Sequence, residues 1–421
     1  MAHRGARLHA VGLTGRVPPT GDTGSRVHTR RTRARGGSGY PGAVSDTAGT
    51  GPSPNPAQLP DPATSDVVDL FRAICDLPSV SGDEAALADE IERALTVCAH
   101  LRVDRLGNSV VARTSLGRDT RVVVAGHLDT VPIADNLPTE LRVEGGEQVL
   151  WGRGTVDMKG GVAVALSLAA RLTDPVHDVT WVFYDNEEVD SDLNGLGQIV
   201  RTHPDWVTGD VAVLGEPTAG GIEGGCNGTI RVVATTRGTT AHSARAWRGH
   251  NAVHDAAPIL ARLAAYEPGE VEVDGLVYRE SLNAVGIAGG IATNMIPDAC
   301  SVTINYRFAP STSPDEAVEH VRELLAGIDC DLTVTDAVGG ARPGLDSPAL
   351  RAAADTLTAA TGGKVGPKYG WTDVARFAEL GIPALNFGPG DPMLAHADDE
   401  RCPTAQVRDC ARALTAWLAP A

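Results

Sequence analysis

Short, continuously apolar runs recur along the chain and predict strands that are buried on both faces of a sheet. The four clearest runs are RVVVAG, VTWVFY, DVAVLG and PALNFG. Their length and β-branched composition are typical of interior strands in a parallel or mixed sheet. Between the first two runs, apolar residues recur at helical spacing from Val162 to Leu172. This alternation of strand and helix predicts an α/β layer.

Residues 224–338 follow a different pattern, and we call them the inserted segment. The strand-like runs are TIRVVATT, LVYRE, AVGIAGG, SVTINYRF and DLTVTDA, and the helix-like runs are AVHDAAPILARLAAY and PDEAVEHVRELLAGI. Their order resembles a ferredoxin-like β-α-β-β-α-β sandwich. The run PALNFG and a helix-like run ending at Leu418 follow this segment. We therefore expect it to interrupt the α/β layer, which comprises residues 61–223 and 339–421.

The first helix of the α/β layer has a predicted start signal. The run SGDE at residues 81–84 has the spacing of a capping box, in which serine and glutamate satisfy backbone groups at a helix start. Leu87, Ile91 and Leu95 follow on one helical face. We therefore expect Ser81 to cap this helix.

The first 60 residues differ in composition from the rest. They contain eight arginines, no lysine and two aspartates, and they show no helical or strand periodicity. This composition predicts a disordered basic extension. The pair Arg30-Arg31 resembles a twin-arginine export signal, but no apolar segment follows it, which such a signal requires. The sequence therefore predicts a cytoplasmic protein.

Charge, hydropathy and cysteine usage exclude several classes of protein. The formal net charge is −17 although the first 60 residues are basic, so the remainder is more acidic still. This disfavours nucleic acid as a partner, and no apolar run is long enough to cross a bilayer. Seven cysteines without a CxxC pair favour buried or idle thiols in a reducing compartment over a disulfide framework.

Ionisable side chains follow each of the four interior strands. They are His127 and Asp129 after the first, Glu187 and Glu188 after the second, Glu216 after the third and His396 after the fourth, with Asp157 in a glycine-rich turn. Ligands of open α/β sheets bind beyond the carboxyl ends of the strands. Imidazoles and carboxylates without a thiolate suit Zn²⁺, with Mn²⁺ or Co²⁺ as substitutes. The pattern therefore predicts a metal site.

The adjacent glutamates 187 and 188 need a reason, because two neighbouring carboxylates repel one another. A metal ion would cancel the repulsion and divide their tasks, so that one glutamate binds metal and the other moves protons. Asp129 lies two residues beyond His127 on an extended segment and points the same way. It is therefore placed to accept the second N–H of the imidazole.

Each of these residues alone has an ordinary structural interpretation. A single histidine after a strand is more often a surface or core residue than a ligand, and adjacent glutamates on a loop are usually solvated. Asp157 could simply cap the helix that follows it. The coincidence of all these residues at the strand ends of one layer favours the metal site.

Seven short motifs occur in the order found in the M20 peptidase family of zinc aminoacylases and carboxypeptidases, which the chain resembles from about residue 61 onward. They are GHLDTVP, GRGTVDMKGG, NEE, LGEPT, TAHS, NMIPD and LAHADDE. The resemblance implies a zinc-peptidase-like catalytic domain with two zinc ions per subunit. One ion would be held by His127 and Glu216, the other by Glu188 and His396, with Asp157 bridging them. It also implies that Glu187 is the general base and that the Asp157-Met158 peptide bond is cis.

The resemblance further implies a homodimer that pairs through the inserted segment. In the family, a histidine matched here by His242 reaches the metal site of the partner subunit and polarises the scissile carbonyl. Asn294, Arg307 and Thr372 match positions that hold the substrate. A guanidinium suits a carboxylate, although an ion pair between domains is the alternative role of Arg307.

Within the family, the runs GCNGTIRV, AHSARAWRGHNA and VDGLVYRE resemble those of actinobacterial members that cleave an N-succinyl amide. This implies hydrolysis of N-succinyl-LL-2,6-diaminopimelate in lysine and cell-wall precursor synthesis. Proteobacterial members carry basic residues where this chain has Cys226-Asn227, so Arg245 or Arg248 is expected to hold the acyl carboxylate instead. Deacetylation of acetylornithine, peptide hydrolysis and a metal-binding scaffold without activity are alternatives, and the intact Glu187 argues against the last.

Overall fold

A computed structural model gives the positions of residues 58–420. The predicted basic extension lies outside the described residues, except for residues 58–60. The strands of the described part are β1 Arg102–Leu106, β2 Ser109–Arg113, β3 Arg121–His127, β4 Glu140–Glu144, β5 Glu147–Trp151, β6 Asp178–Tyr184, β7 Val211–Leu214, β8 Ile222–Gly224, β9 Gly228–Arg237, β10 Glu270–Val273, β11 Leu276–Arg279, β12 Ser281–Gly289, β13 Ala299–Phe308, β14 Asp331–Val338, β15 Val365–Pro367, β16 Ala384–Asn386 and β17 Arg401–Pro403. The α-helices are α1 Val67–Asp76, α2 Ala85–Thr96, α3 Lys159–Arg171, α4 Gly195–Thr202, α5 Ala252–Asp255, α6 Ala257–Ala264, α7 Pro314–Leu324, α8 Pro348–Thr361, α9 Val374–Glu379 and α10 Thr404–Leu418.

The central sheet is mixed and has eight strands, in the order β1-β2-β6-β3-β7-β16-β8-β15. The four predicted interior strands, β6, β3, β7 and β16, are adjacent in it and mutually parallel. Antiparallel pairs join β1 to β2, β2 to β6 and β16 to β8. The α/β layer predicted from the apolar runs is confirmed.

Alternate residues of the interior strands point into two separate cores. In β3, Val122 and Val124 belong to a core shared with α1, α3 and α10, whereas Val123 and Ala125 belong to a core shared with α4 and α9. Because helices cover both faces, positions 122–125 of β3 are all apolar. The three-stranded sheet β17-β5-β4 and the hairpin β10-β11 are not hydrogen-bonded into the central sheet.

The inserted segment forms an antiparallel four-stranded sheet in the order β12-β13-β9-β14. Numbered by their order in the segment, these strands lie in the sequence 2-3-1-4, which is the ferredoxin-like arrangement. One face packs on α5, α6 and α7 through residues such as Val232 and Ile304. The opposite face carries Arg231, Asn305 and Arg307, which lie outside that core. The predicted sandwich is confirmed, while its boundaries at residues 224 and 338 stay a prediction.

Three local expectations were wrong. The helix predicted from AVHDAAPILARLAAY is divided at Ala256 into α5 and α6, with Pro258 in the first turn of the second. The LVYRE strand, β11, pairs with β10 rather than joining the four-stranded sheet. Helix α2 begins at Ala85 without a side-chain cap, and the Ser81 hydroxyl donates to Asp129 Oδ2 at 2.7 Å.

Residues 58–420 contain no helix that is both long and apolar enough to cross a membrane. All seven cysteines are free thiols, and five of them are buried.

Candidate metal centre and active site

The five predicted metal ligands meet beyond the carboxyl ends of the interior strands. His127, Asp157 and Glu216 form one group and Asp157, Glu188 and His396 form another, with the donor atoms in each group within 4.8 Å of one another. Asp157 Oδ1 lies 3.1 Å from His127 Nε2, and Asp157 Oδ2 lies 3.3 Å from His396 Nε2. The two oxygens of Asp157 therefore face different groups, which is the arrangement of a bridging ligand.

Sharp turns at the strand ends bring these side chains together. Asn186, after β6, has a φ of 57°, and His396 has a φ of 65°, both in the left-handed region that few residues other than glycine adopt. Beyond β7, a Cβ on Gly161 would lie 2.1 Å from the carbonyl oxygen of Gly215. Only glycine at position 161 lets α3 come this close to the loop that carries Glu216. As expected, the Asp157-Met158 peptide bond is cis.

Asp129 organises the loop of the two glutamates. Its Oδ1 accepts the backbone N–H of Glu187 at 2.9 Å, and its Oδ2 accepts the backbone N–H of Glu188 at 3.0 Å. His127 Nδ1 lies 3.0 Å from the Asp129 carbonyl oxygen and 3.4 Å from its Oδ1. The nearer acceptor for the imidazole is therefore the Asp129 backbone carbonyl rather than the carboxylate expected from the sequence, while the carboxylate fixes the position of both glutamates.

Glu400 organises the turn that carries Asp157. Its buried carboxylate accepts backbone N–H groups from Gly154 at 3.1 Å, Val156 at 2.7 Å and Asp157 at 3.1 Å. The Arg153 guanidinium donates to the same carboxylate at 2.9 Å, and this arginine is only 3% exposed. Glu400, far along the chain from this turn, thus holds Asp157 in place.

The electrostatics of the cluster favour a cation. Burial and the neighbouring Asp157 carboxylate raise the pKa of Glu216 to about 7. Burial also raises the pKa of Glu187 well above its usual range, and the negative charge of Glu188 adds to this against the opposing effect of His127. Burial opposes ionisation of Asp157 too, but hydrogen bonds from His127 and His396 outweigh it and lower its pKa. Several carboxylates therefore crowd a space with too little positive charge to balance them.

The donor set fits a metal ion. Oxygen Oε1 of Glu216 is buried and has no hydrogen-bond partner within residues 58–420, which is costly unless a cation takes that place. The donors are imidazole nitrogens and carboxylate oxygens, the set that suits Zn²⁺, Co²⁺ or Mn²⁺. Glu187 also forms a group with His127 and Glu188, so its role as an uncoordinated base stays a prediction.

Residues 123–419 match the family model for peptidase family M20/M25/M40. The chain belongs to this family. The chain is 54% identical over 354 residues to the putative succinyl-diaminopimelate desuccinylase DapE of Mycobacterium tuberculosis, a match that covers 84% of this chain and 98% of the relative. It is 48% identical over 361 residues to the succinyl-diaminopimelate desuccinylase of Corynebacterium glutamicum, covering 84% of this chain and 96% of the relative.

Solved structures of other M20 proteins share the fold. The M20 family metallo-carboxypeptidase Sso-CP2 of Sulfolobus solfataricus aligns with a TM-score of 0.68 at 16% identity, covering 84% of this chain and 98% of its own. The YXEP protein of Bacillus subtilis, described as a dinuclear metal binding peptidase, aligns with a TM-score of 0.59 at 16% identity. That alignment covers 83% of this chain and 96% of the other.

Other residues expected at the site of an M20 member lie apart from this cluster. His242 and Asn294 are exposed and adjacent, since Ser243 N–H donates to the Asn294 carbonyl at 2.9 Å. Arg245 and Arg248 lie on the same exposed loop. None of the four lines the cavity beside Glu187.

Thr372 and Arg307 are less exposed than these four residues. The Thr372 side chain is buried, and its hydroxyl donates to Asn386 Oδ1 at 3.0 Å. Arg307 is partly buried and forms no ion pair with any residue from 58 to 420, so the structure gives no domain salt bridge to explain it. The Nε–H of Arg307 donates a hydrogen bond to Asn305 Oδ1 at 3.3 Å.

Sequence reasoning missed two residues that support the ligands. Ser81 was assigned to a helix cap, and no signal separated Glu400 from the acidic residues Asp398 and Asp399 beside it. Both act through partners far along the chain, since Glu400 bonds Asp157 across 243 positions. Only the fold reveals such contacts.

Proposed function

We propose that the protein hydrolyses N-succinyl-LL-2,6-diaminopimelate to succinate and LL-diaminopimelate. The observation that carries the proposal is the pair of ligand groups joined by Asp157, in a chain 54% identical to a relative described as a desuccinylase. Nearly the full length of that relative is covered, so the likeness includes both the metal cluster and the inserted segment. A metal-dependent hydrolase acting on an amide bond is the reaction class that this site supports.

We propose two zinc ions as the resident metals, with Co²⁺ or Mn²⁺ as substitutes. His127 and Glu216 would hold one, Glu188 and His396 the other, and Asp157 both. When bound, these ions polarise the amide carbonyl and lower the pKa of a water molecule.

The remaining steps fall to side chains of the protein. Glu187 takes a proton from the water that adds to the carbonyl carbon, and it delivers that proton to the nitrogen as the C–N bond breaks. The hydrogen bond from its backbone N–H to Asp129 keeps this carboxylate at the cluster. His242 of a second subunit donates to the oxyanion, while Asn294, Arg307 and Thr372 orient the substrate.

We propose a homodimer that forms through the inserted segment. Strand β12 lies at an edge of its sheet, and its residues 283–289 are exposed. Val285 is 60% exposed and Ile287 is 55% exposed. An exposed apolar edge strand is a surface for pairing with another chain.

The free cysteines are typical of a reducing compartment, which supports the proposed cytoplasmic location.

The test is turnover by purified, zinc-loaded protein on three substrates: N-succinyl-LL-diaminopimelate, acetylornithine and a dipeptide. We expect kcat/KM for the first to exceed the others by orders of magnitude. Preference for acetylornithine or the dipeptide would move the protein to another reaction of the same family. Metal-loaded protein inert toward all three would support a scaffold role instead.

A further inference from the structure

A cavity of about 820 Å³ connects the proposed base with the exposed face of the inserted sheet. Its walls include Glu187 and Glu188 on one side and Thr229, Arg231 and Asp336 on the other. A substrate whose amide lies at Glu187 would extend through this cavity toward β9. The polar groups on β9 and its neighbours are therefore placed to contact the parts of the substrate remote from the amide.

Arg231 and Arg307 share that face of the sheet. In the antiparallel pair β9-β13, Arg231 is opposite Asn305 and Arg307 is opposite Thr229, so the two arginines are diagonal neighbours. Diagonal positions lie roughly 7–8 Å apart, within reach of long side chains. Burial is the main cause that lowers the pKa of Arg307, and the positive charge of Arg231 is the second. Two guanidinium groups thus lie close enough to repel one another beside one cavity.

Neither arginine forms an ion pair within residues 58–420, although Arg307 donates a hydrogen bond to Asn305. Arg237, on the same strand, pairs with Asp331 at 3.1 Å, and Arg279 pairs with Glu270 at 3.0 Å. Arg231 forms no ion pair, even with Asp336, which is its register partner on β14. The other cavity arginine, Arg376, is bound to Asp373 and donates to Ser191 Oγ at 2.9 Å. Two adjacent and unpaired guanidinium groups favour an anion between them.

Cys226 and Asn227 carry no positive charge, but Arg231 supplies one close to them in the sequence. Thr229 and Arg231 alternate along β9, and both line the cavity. The Asn227 amide is bound to the Arg279 carbonyl oxygen at 2.8 Å. Arg231 is the first basic residue after Cys226-Asn227, and it belongs to the same subunit as the metal cluster.

We propose that Arg231, together with Arg307, binds a carboxylate of the substrate that lies beyond the scissile amide. This inference rests on the proposed function. The proposed substrate carries three carboxylates, of which one lies next to the scissile nitrogen, and the inference concerns the two remote ones, the acyl carboxylate and the distal amino-acid carboxylate. Arg231 is a specificity-determining residue rather than a catalytic one, because it lies across the cavity from Glu187, the proposed base.

The test compares wild-type protein with Arg231→Met and with Arg237→Met, a matched control on the same strand. Each is assayed on N-succinyl-LL-diaminopimelate, on N-butyryl-LL-diaminopimelate, which lacks the acyl carboxylate, and on Nα-succinyl-L-lysine, which lacks the distal one. For Arg231→Met we expect KM for the first substrate to rise about 10- to 100-fold with little change in kcat, the effect of losing a charge-assisted hydrogen bond. Arg237→Met is expected to behave as the wild type.

The analogues identify the carboxylate. If the penalty disappears with the butyryl compound, Arg231 binds the acyl carboxylate, and if it disappears with succinyl-lysine, Arg231 binds the distal one. An equal penalty on all three substrates, or none, would overturn the inference while leaving the proposed function intact. Wild-type protein inert on all three would overturn both. Unchanged thermal unfolding of Arg231→Met excludes a folding defect as the cause.

Discussion

The carboxylate of Asp129 accepts the backbone N–H of Glu187 at 2.9 Å, which ties the proposed base to the strand that ends in His127. Asp129→Asn replaces one acceptor oxygen by an amide donor and removes a negative charge beside the imidazole. We expect metal affinity and kcat each to fall about 10- to 100-fold, as is usual for partners of metal ligands. Chelator competition and steady-state kinetics measure the two effects. Wild-type values in both would contradict this role of Asp129.

Glu187→Gln tests the base directly. The amide keeps the size of the side chain but cannot take a proton, so kcat should fall by at least about a hundredfold. Metal content should be retained if Glu187 is not a ligand, and elemental analysis of the purified variant measures it. The exposed Glu147→Gln serves as the control and should retain full activity. Loss of metal together with activity would assign Glu187 to the ligands instead.

Asp157 and His396 should differ in how many metal ions depend on them. Because Asp157 belongs to both ligand groups and His396 to one, Asp157→Asn should weaken both sites, whereas His396→Ala should weaken only one. Native mass spectrometry at limiting zinc gives the number of ions retained per chain. The exposed Asp398→Asn, two residues from His396, is the control. Equal losses in the two variants would contradict a bridging role for Asp157.

Glu400→Gln should destabilise the protein as well as the site. The ion pair of Glu400 with Arg153 is buried, and breaking a buried pair costs about 3–5 kcal/mol in the free energy of unfolding. Glu144→Gln breaks the more exposed pair with Arg401, and surface pairs contribute about 0–1 kcal/mol. Urea unfolding of the two variants gives the comparison. Similar losses in both would show that Glu400 has no special structural role.

The sequence predicted that His127, Glu188, Glu216 and His396 gather in one place, because each comes after an apolar run and the ends of parallel strands meet at one edge of the sheet. Asp157 lies in a glycine-rich turn instead. The sequence predicted a supporting role for Asp129, but it could not predict the contacts of Ser81 and Glu400. Ser81 has the spacing of a helix cap, but the helix begins at Ala85, and the Ser81 hydroxyl donates to the Asp129 carboxylate. Arg231 stands in an alternating strand where an exposed polar residue is ordinary. Its position beside a cavity follows from the packing of two sheets, which no local pattern encodes.

The proposed contribution of His242 across a dimer interface gives the last prediction. His242 is exposed and does not line the cavity of its own subunit, so His242→Ala and Glu187→Gln should damage different sites of one dimer. Each variant alone should be nearly inactive. When the two are unfolded together at equal concentration and refolded, random pairing gives mixed dimers with one intact site, and activity should return to about a quarter of the wild-type value. Recovery requires that the proteins form dimers, which sedimentation velocity measures independently. A refolded mixture that dimerises but stays inactive would show that His242 does not act on the site of the partner subunit.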